Sequence, residues 1–493
     1  MVFGIVSATR LAVLAHDQIP LEAVNPLEVD TPSTFLLSQN RFEEANASNR
    51  SDPTLPQPWP TGSVGQPESV DSRCLFSIME RDDGGLHIDD GGLHITGCDD
   101  RLRFTNRTLL QFEGVAVSGD NRASPGGFTF PRVREYLILD IDEWINLTTI
   151  LQSAYGTLGP LNNWRVLDTW LELKFHLGLK IRGGHFRSPF LYEFHLLGEE
   201  KLITPERSIY NNTVSTERQT GVMLFGDLLD DRLYYAAGIF NGPSHVFYDT
   251  NRAKDFIGLV DFKPFLLKND HPFQHLHLIY SLDFGNQNQQ PPLAATYRVN
   301  SEMDQSKYRA EPTKFSPVWL LFDSLGSERG SRVEMAGELL WFYKSFTLLT
   351  SVQGGYRHFA REAALPQRVP FNGFQVSTTY FLTGEAVTNR EDIKPLRDFK
   401  WKNPFSNPGA WEVYSRYAQL DVGRQLVEQG VAVRPASTHA VQTIDVGTIW
   451  YLNKHSSFYF NWQHSIFASP VVAPPNHLSQ GYDLFLARYQ LLY

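Results

Sequence analysis

From about residue 84 onward the chain repeats one texture. Segments of roughly 9–14 residues alternate between apolar and polar positions, with clusters of Gly, Pro, Asn and Asp between them. In Arg101–Gly114 the odd positions are Arg101, Arg103, Thr105, Arg107, Leu109, Gln111 and Glu113. The even positions are Leu102, Phe104, Asn106, Thr108, Leu110 and Phe112. One face is largely charged and the other largely apolar, the period-2 signature of a strand. Phe346, Leu348, Val352 and Tyr356 share a second such face, opposite Thr347, Ser351, Gln353 and Arg357. Similar segments lie near 131–140, 147–156, 165–176, 178–187, 216–226, 232–240, 255–262, 275–285, 332–343, 371–383, 409–421, 439–452, 456–467 and 482–493. With several ambiguous stretches the reading is all-β, about 16–18 strands. Helices are few, because Gly or β-branched residues cut most 3.6-period runs.

Alternation alone fits two architectures. A soluble multi-sandwich turns apolar residues inward. A membrane barrel turns them outward to lipid and lines a watery lumen with polar ones. Three features favour the barrel. The segments suit tilted spanning strands, which need about 9–11 residues, whereas soluble strands average about 5–6. Aromatics crowd segment ends, as in Trp341-Phe342-Tyr343, Trp450-Tyr451, Phe458-Tyr459-Phe460 and Tyr234-Tyr235, as interfacial girdles require. The carboxy-terminal strand, Tyr482–Tyr493, sets Phe485, Ala487, Tyr489, Leu491 and Tyr493 opposite Arg488 and Gln490. Closure also leaves so many long strands without an exposed edge. The expected fold is a transmembrane antiparallel β-barrel over 84–493 with an extended amino-terminal leader.

Composition agrees. Aromatics are 13% and cysteines number two, which excludes a disulfide scaffold. No run of ~18 apolar residues marks a membrane helix. The net charge is -10; residues 16–70 hold eight acids, two arginines and eight prolines. Nothing resembles the basic footprint of a nucleic-acid binder. Residues 1–15, MVFGIVSATRLAVLA, read as a degenerate or truncated signal peptide or a start placed too far downstream. Residues 16–83 read as a Pro-rich, mostly unordered leader. Cys74 and Cys98 could pair in an oxidising compartment, but spacing alone does not place their Cα atoms.

No motif of a hydrolase, P-loop or dinucleotide site occurs, so the expectation is a protein without catalysis or cofactor. No metal site is expected either. His87 and His94, in a repeated GGLHI, are seven apart and of opposite parity on one strand. His275 and His277 share a face, with no carboxylate of suitable spacing evident. Asp227, Asp230 and Asp231 read as a polar turn.

Several segments in order resemble the phosphate-selective porin O and P family over roughly 100–493. They are GHFRSPF (Gly184–Phe190), PERS (Pro205–Ser208), RQTG (Arg218–Gly221), GIFNG (Gly238–Gly242), KDFIGLVDFKPF (Lys254–Phe265), YFLTGE (Tyr380–Glu385), GAWEVYSRYAQLD (Gly409–Asp421), IWYLN (Ile449–Asn453) and RYQLLY (Arg488–Tyr493). The resemblance implies a homotrimeric cell outer-membrane channel of about sixteen strands. It implies a carboxy-terminal aromatic, here Tyr493, read by the assembly machinery. It also implies passive transport of anions such as phosphate past basic lumen residues and a constriction loop. The chain departs from that pattern in having no contiguous alternating run of arginines.

Arginine forks in a narrow lumen could offset the dehydration of an anion. The pore-lining candidates are Arg103 and Arg107, Arg132 and Arg134, and Lys180 and Arg182, each pair on one strand face, with Arg207 and Arg218 from the family motifs. Arg416 could pair with Glu412 on its own face. The expected function is an outer-membrane porin passing small anions and contacting membrane lipid. A general or sugar-type channel, or a secreted all-β binding protein or glycosidase, are the alternatives.

Overall fold

The computed structural model describes residues 86–89, 92–97, 101–118, 126–153, 164–242, 247, 252–288, 296–299, 317–391, 393–434, 437–473 and 477–493. The leader and both cysteines lie outside these residues. The strands run in chain order. A hairpin of β1 (Leu86–Asp89) and β2 (Gly92–Gly97) comes first. Then follow β3 (Leu102–Ser118), β4 (Gly126–Ile141), β5 (Ile145–Ser153), β6 (Trp164–His176), β7 (Leu179–Arg187), β8 (Arg218–Leu228), β9 (Leu233–Phe240), β10 (Asp255–Phe262) and β11 (His275–Asn288). A small pair, β12 (Thr296–Arg298) and β13 (Val318–Leu321), forms its own two-stranded sheet, with Trp319 and Leu320 buried in the core. The rest are β14 (Gly326–Tyr343), β15 (Phe346–Arg361), β16 (Gln367–Phe381), β17 (Ala410–Val422), β18 (Ala440–Tyr451), β19 (Ser456–Ala473) and β20 (His477–Leu492).

Sixteen of these form a closed antiparallel barrel, β3–β11 and β14–β20, each bonded to its chain neighbours. Closure pairs β20 with β3, from Asp483 opposite Ser118 to Leu492 opposite Leu109. Tyr493 and Thr108 then exchange backbone hydrogen bonds at 2.6 and 2.9 Å. Just past that point β2 takes over the same edge of β3, pairing Gly97 to Leu93 with Leu102 to Asn106. No stretch of that edge is left open, as hydrocarbon demands of any backbone group within it.

The sixteen alternating segments read from the sequence each correspond to one barrel strand. The faces agree too. On β11, Leu278, Tyr280 and Phe284 point outward and are exposed, while Ser281, Asp283 and Gln287 are buried inside. On β15, Val352 faces out and Thr347, Ser351 and Gln353 face in. Strand ends differ at the long-loop end of the barrel. β14 begins six residues earlier than the alternation suggests, through the polar run Gly326–Ser331, and β19 continues to Ala473. A strand that projects beyond the lipid keeps its ladder bonds but has no reason to keep an oily face.

Two expectations are corrected here. His87 and His94 are not on one strand: the turn between β1 and β2 sets them directly opposite each other, so the parity argument does not apply. His277 does have a carboxylate beside it, the cross-strand Asp261 at 2.8 Å. Among the described residues no group of three or more His, Cys, Asp or Glu side chains is gathered as a metal cage. Among them, too, no helix is long and apolar enough to cross a membrane.

The orientation yields a test. A lysine at outward-facing Val352 should cost about 2–4 kcal/mol if that position lies at mid-membrane. Unfolding in urea from lipid vesicles would measure it, and Val352→Leu should be close to neutral.

Candidate functional site in the lumen

The 30 residues between β7 and β8, Ser188–Glu217, do not stand off the barrel rim. They fold back inside, with short helices at Tyr192–His195 and Ile209–Thr213. Phe190, Leu191, Phe194, Ile209, Tyr210 and Val214 are buried against wall residues such as Phe186, Phe240, Phe371 and Leu420. Nearer the short-turn end, Tyr192, Leu197, Leu202 and Ile203 pack on Leu259, Ile279, Leu340, Leu349 and Ile449. The inner wall is therefore not uniformly polar as expected. It is apolar where it receives this loop.

The loop bonds strands on several sides of the barrel. On one side its carboxylates meet wall arginines. Glu199 accepts from Arg134 of β4 at 2.6 Å, Arg207 at 2.7 Å, Arg187 of β7 at 3.3 Å and Arg218 of β8 at 3.3 Å. Glu206 accepts from Arg132 of β4 and Arg488 of β20, both at 2.7 Å. Arg488 also donates to Glu113 of β3 at 2.6 Å. On the other side, the Leu191 amide donates to Ser281 of β11 at 3.1 Å and the Tyr192 amide to Glu338 of β14 at 2.8 Å. Gln375 of β16 donates to Glu193 at 3.2 Å, and Arg357 of β15 donates to the Val214 carbonyl. Leu191 itself is held at φ 63 with no exposed surface, a strained conformation fixed by the surrounding contacts.

Burial by itself would raise the Glu199 pKa. The guanidiniums of Arg134, Arg207, Arg187 and Arg218 outweigh it and hold the carboxyl well below the usual range. For Glu206 burial is likewise overcome, by Arg132 and Arg488, and the net shift is downward. Both anions are thus products of the cations around them.

The eight candidate cations divide into groups. Arg132, Arg134, Arg207 and Arg218 are buried and engaged with Glu199 or Glu206, and Arg218 also bonds Asp168 of β6 at 3.0 Å. Arg182 pairs with Glu172 at 2.6 Å and stacks its guanidinium over Trp170 and Phe225. Lys180 stands 3.8 Å from Asp227, which belongs to β8, opposite Tyr234, and not to the polar turn the sequence suggested; only Asp230 and Asp231 lie in that turn. Arg107 lies over the Tyr136 ring, and Arg103 donates to the His94 ring nitrogen at 3.1 Å. Neither of these last two is paired with a described carboxylate. Arg416 does not pair with Glu412. It bonds Asp445 of β18 at 3.0 Å, while Glu412 is taken by Arg390 at 2.6 Å. Arg390 comes from the connection between β16 and β17, which no strand pattern marks.

The fixed charge is unevenly spread. The wall of β10, β11, β14 and β15 carries Asp255, Asp261, Asp283, Glu328, Glu334 and Glu338, against Arg332 and Arg357. The other strands balance Arg132, Arg134, Arg218, Arg416 and Arg488 against Glu113, Asp168, Glu172, Glu412 and Asp445. At the short-turn mouth a cavity of about 250 Å³ is lined by Arg107, Lys201, Arg390, Lys394 and Lys454, with Glu200 and Glu391 among the other residues.

A closed barrel with an oily outside, an aromatic rim and a loop folded across its lumen is an outer-membrane porin. Residues 323–465, from just before β14 into β19, match the family model phosphate-selective porin O and P. No curated protein matches the sequence. Among solved structures, an anion-selective porin from Comamonas acidovorans is 12% identical, with a TM-score of 0.45, covering 80% of this chain and 100% of that one. The outer membrane channel DcaP of Acinetobacter baumannii is 9% identical, with a TM-score of 0.49, covering 80% and 99%. OmpT of Vibrio cholerae, an outer-membrane protein, is 10% identical, with a TM-score of 0.44, covering 80% and 98%.

Removing one member of a buried ion-pair hub strands the others, at a cost of about 3–5 kcal/mol. Glu199→Gln should lower stability by that order in denaturant unfolding and speed amide exchange across residues 188–217. The pH dependence has a definite sign. A carboxyl with a depressed folded pKa adds stability above its unfolded value and loses it as pH falls through the folded one. Exchange protection of the loop should therefore survive acidification through the ordinary carboxylate range and fail only well below it.

Proposed function

We propose that this porin passes small anions such as phosphate by passive diffusion, gathering them at its short-turn mouth. The observation that carries the reading is the lining of the mouth cavity: Arg107, Lys201, Lys394 and Lys454, besides an Arg390 already paired with Glu412, against two Glu. A concentration of fixed positive charge at a low-dielectric opening draws anions in and repels cations. Of the eight candidates, Arg107 is the one that lines this cavity, and its guanidinium rests on Tyr136 rather than on a described carboxylate. Arg132, Arg134, Arg207 and Arg218 serve first to seat the loop. Neutralising them would disturb the constriction itself, so they make poor probes of selectivity. The family match supports a homotrimer and recognition of Tyr493 by assembly machinery.

A second reading has its own support. The wall of six carboxylates with two arginines favours a general channel that tolerates cations.

Reversal potential in a planar bilayer under a salt gradient separates the two. The expected sign is that of anion preference, and Arg107→Gln with Lys454→Gln should move it toward zero while single-channel conductance persists. A cation-signed potential in the wild type, or one unchanged in the double variant, would overturn the mouth proposal.

A further inference from the structure

The connection between β16 and β17 spans Leu382–Gly409 and lies at the short-turn end. Its first half reaches inward: Arg390 bonds Glu412 and the Lys201 carbonyl. Its second half turns the other way and packs against the outside of the rim. The Phe399 amide donates to the Leu452 carbonyl at 2.7 Å, and the Phe399 ring stands edge-on to Trp450 with centroids 4.9 Å apart. Trp450 stacks in turn on Trp411 at 5.0 Å and on Phe458 at 5.9 Å, and donates from its indole to the Pro408 carbonyl at 2.8 Å. Phe458 continues to Tyr489 of β20 at 5.0 Å. These rings form a continuous band on the outward face of β17–β20, and the connection extends it.

What the extension presents is unusual for a turn facing water. Leu396 is 69% exposed, Trp401 85% and Phe405 98%. Around them stand Lys394, Arg397, Lys400 and Lys402 with the single acid Asp398, and every residue from Lys400 to Ser406 is exposed. The segment is not loosely tethered. The Asn403 amide bonds the Lys400 carbonyl at 3.0 Å, the Asn407 amide the Asn403 carbonyl at 3.1 Å, and Arg397 the Ser406 carbonyl at 3.1 Å.

We propose that residues 394–407 dock into the headgroup layer of the membrane leaflet at the short-turn end, with Leu396, Trp401 and Phe405 entering the acyl boundary and Arg397, Lys400 and Lys402 binding anionic phospholipid headgroups. Three observations carry this. The apolar surface continues the lipid-facing aromatic band. The charge complements anionic lipid, since basic residues next to a membrane surface are drawn to it. Amphipathic rings with one polar edge settle at the membrane-water boundary. In this family's outer-membrane setting short turns face the periplasm, so the occupant is the phospholipid of the inner leaflet. The connection would then act as an anchor fixing the depth of the barrel beside β17 and β18, and through Arg390 it ties that anchor to the interior loop.

The inference rests on the membrane-barrel reading, and its test carries a separate control for it. The full-length protein, with Cys74 and Cys98 replaced by serine, would take single spin labels at Trp401→Cys, Phe405→Cys or Val352→Cys. Each form is reconstituted into vesicles of phosphatidylglycerol and phosphatidylethanolamine. Collision with membrane-partitioning oxygen is compared with collision with an aqueous nickel complex. Oxygen access at Val352 reports the barrel orientation alone. The expected result is oxygen-favoured collision at 401 and 405. Adding Arg397→Gln, Lys400→Gln and Lys402→Gln should reduce it severalfold, as should replacing phosphatidylglycerol by phosphatidylcholine. A lipid-exposed label at 352 with nickel-favoured collision at 401 and 405 would overturn the anchor while leaving the barrel intact. Labels at 401 and 405 shielded from both reagents would overturn it too, in favour of contact with a second copy of the chain.

Discussion

Hydrocarbon offers no hydrogen bonds, and this constraint organises the whole molecule. Every amide and carbonyl within the lipid must find a partner in the chain, so the sheet closes, β20 onto β3. Closure turns one face of each strand permanently outward. The oily positions occupy that face, and the ionisable ones are left with the interior. The interior therefore receives more charge than any soluble core would hold.

Charge confined there needs partners, and the loop between β7 and β8 supplies them. Glu199 and Glu206 meet six guanidiniums between them, drawn from β4, β7, β8, β20 and the loop itself. Arg488 sits where these roles meet. It spans the closing seam through Glu113 and the loop through Glu206. Barrel closure and loop seating thus share one side chain, and the constriction is set by the same ion pairs that neutralise the wall.

The barrel was legible in the sequence because lipid enforces period-2 alternation residue by residue. Phe104, Leu110 and Phe112 had to fall on one parity, and they did. Strand ends beyond the membrane, such as Gly326–Ser331, were hidden because that pressure is absent there. The interior loop was hidden for a different reason. Arg134 and Glu199 are 65 positions apart and Arg488 and Glu206 are 282 apart, and no local pattern announces such pairs. The motif PERS pointed to Arg207 while Glu206 beside it passed unnoticed. His277 was read without its cross-strand Asp261, since a partner on the next strand depends on register. Arg390 had no signal at all, lying in a connection whose inward turn only packing reveals.

The most direct test of the account is cysteine scanning along β11, from Leu278 to Gln287, in vesicles, with a membrane-partitioning maleimide. The account predicts reaction that alternates with period two, strong at 278, 280, 282 and 284 and weak at 279, 281, 283 and 285. Reaction without alternation, or with the parity reversed, would contradict it.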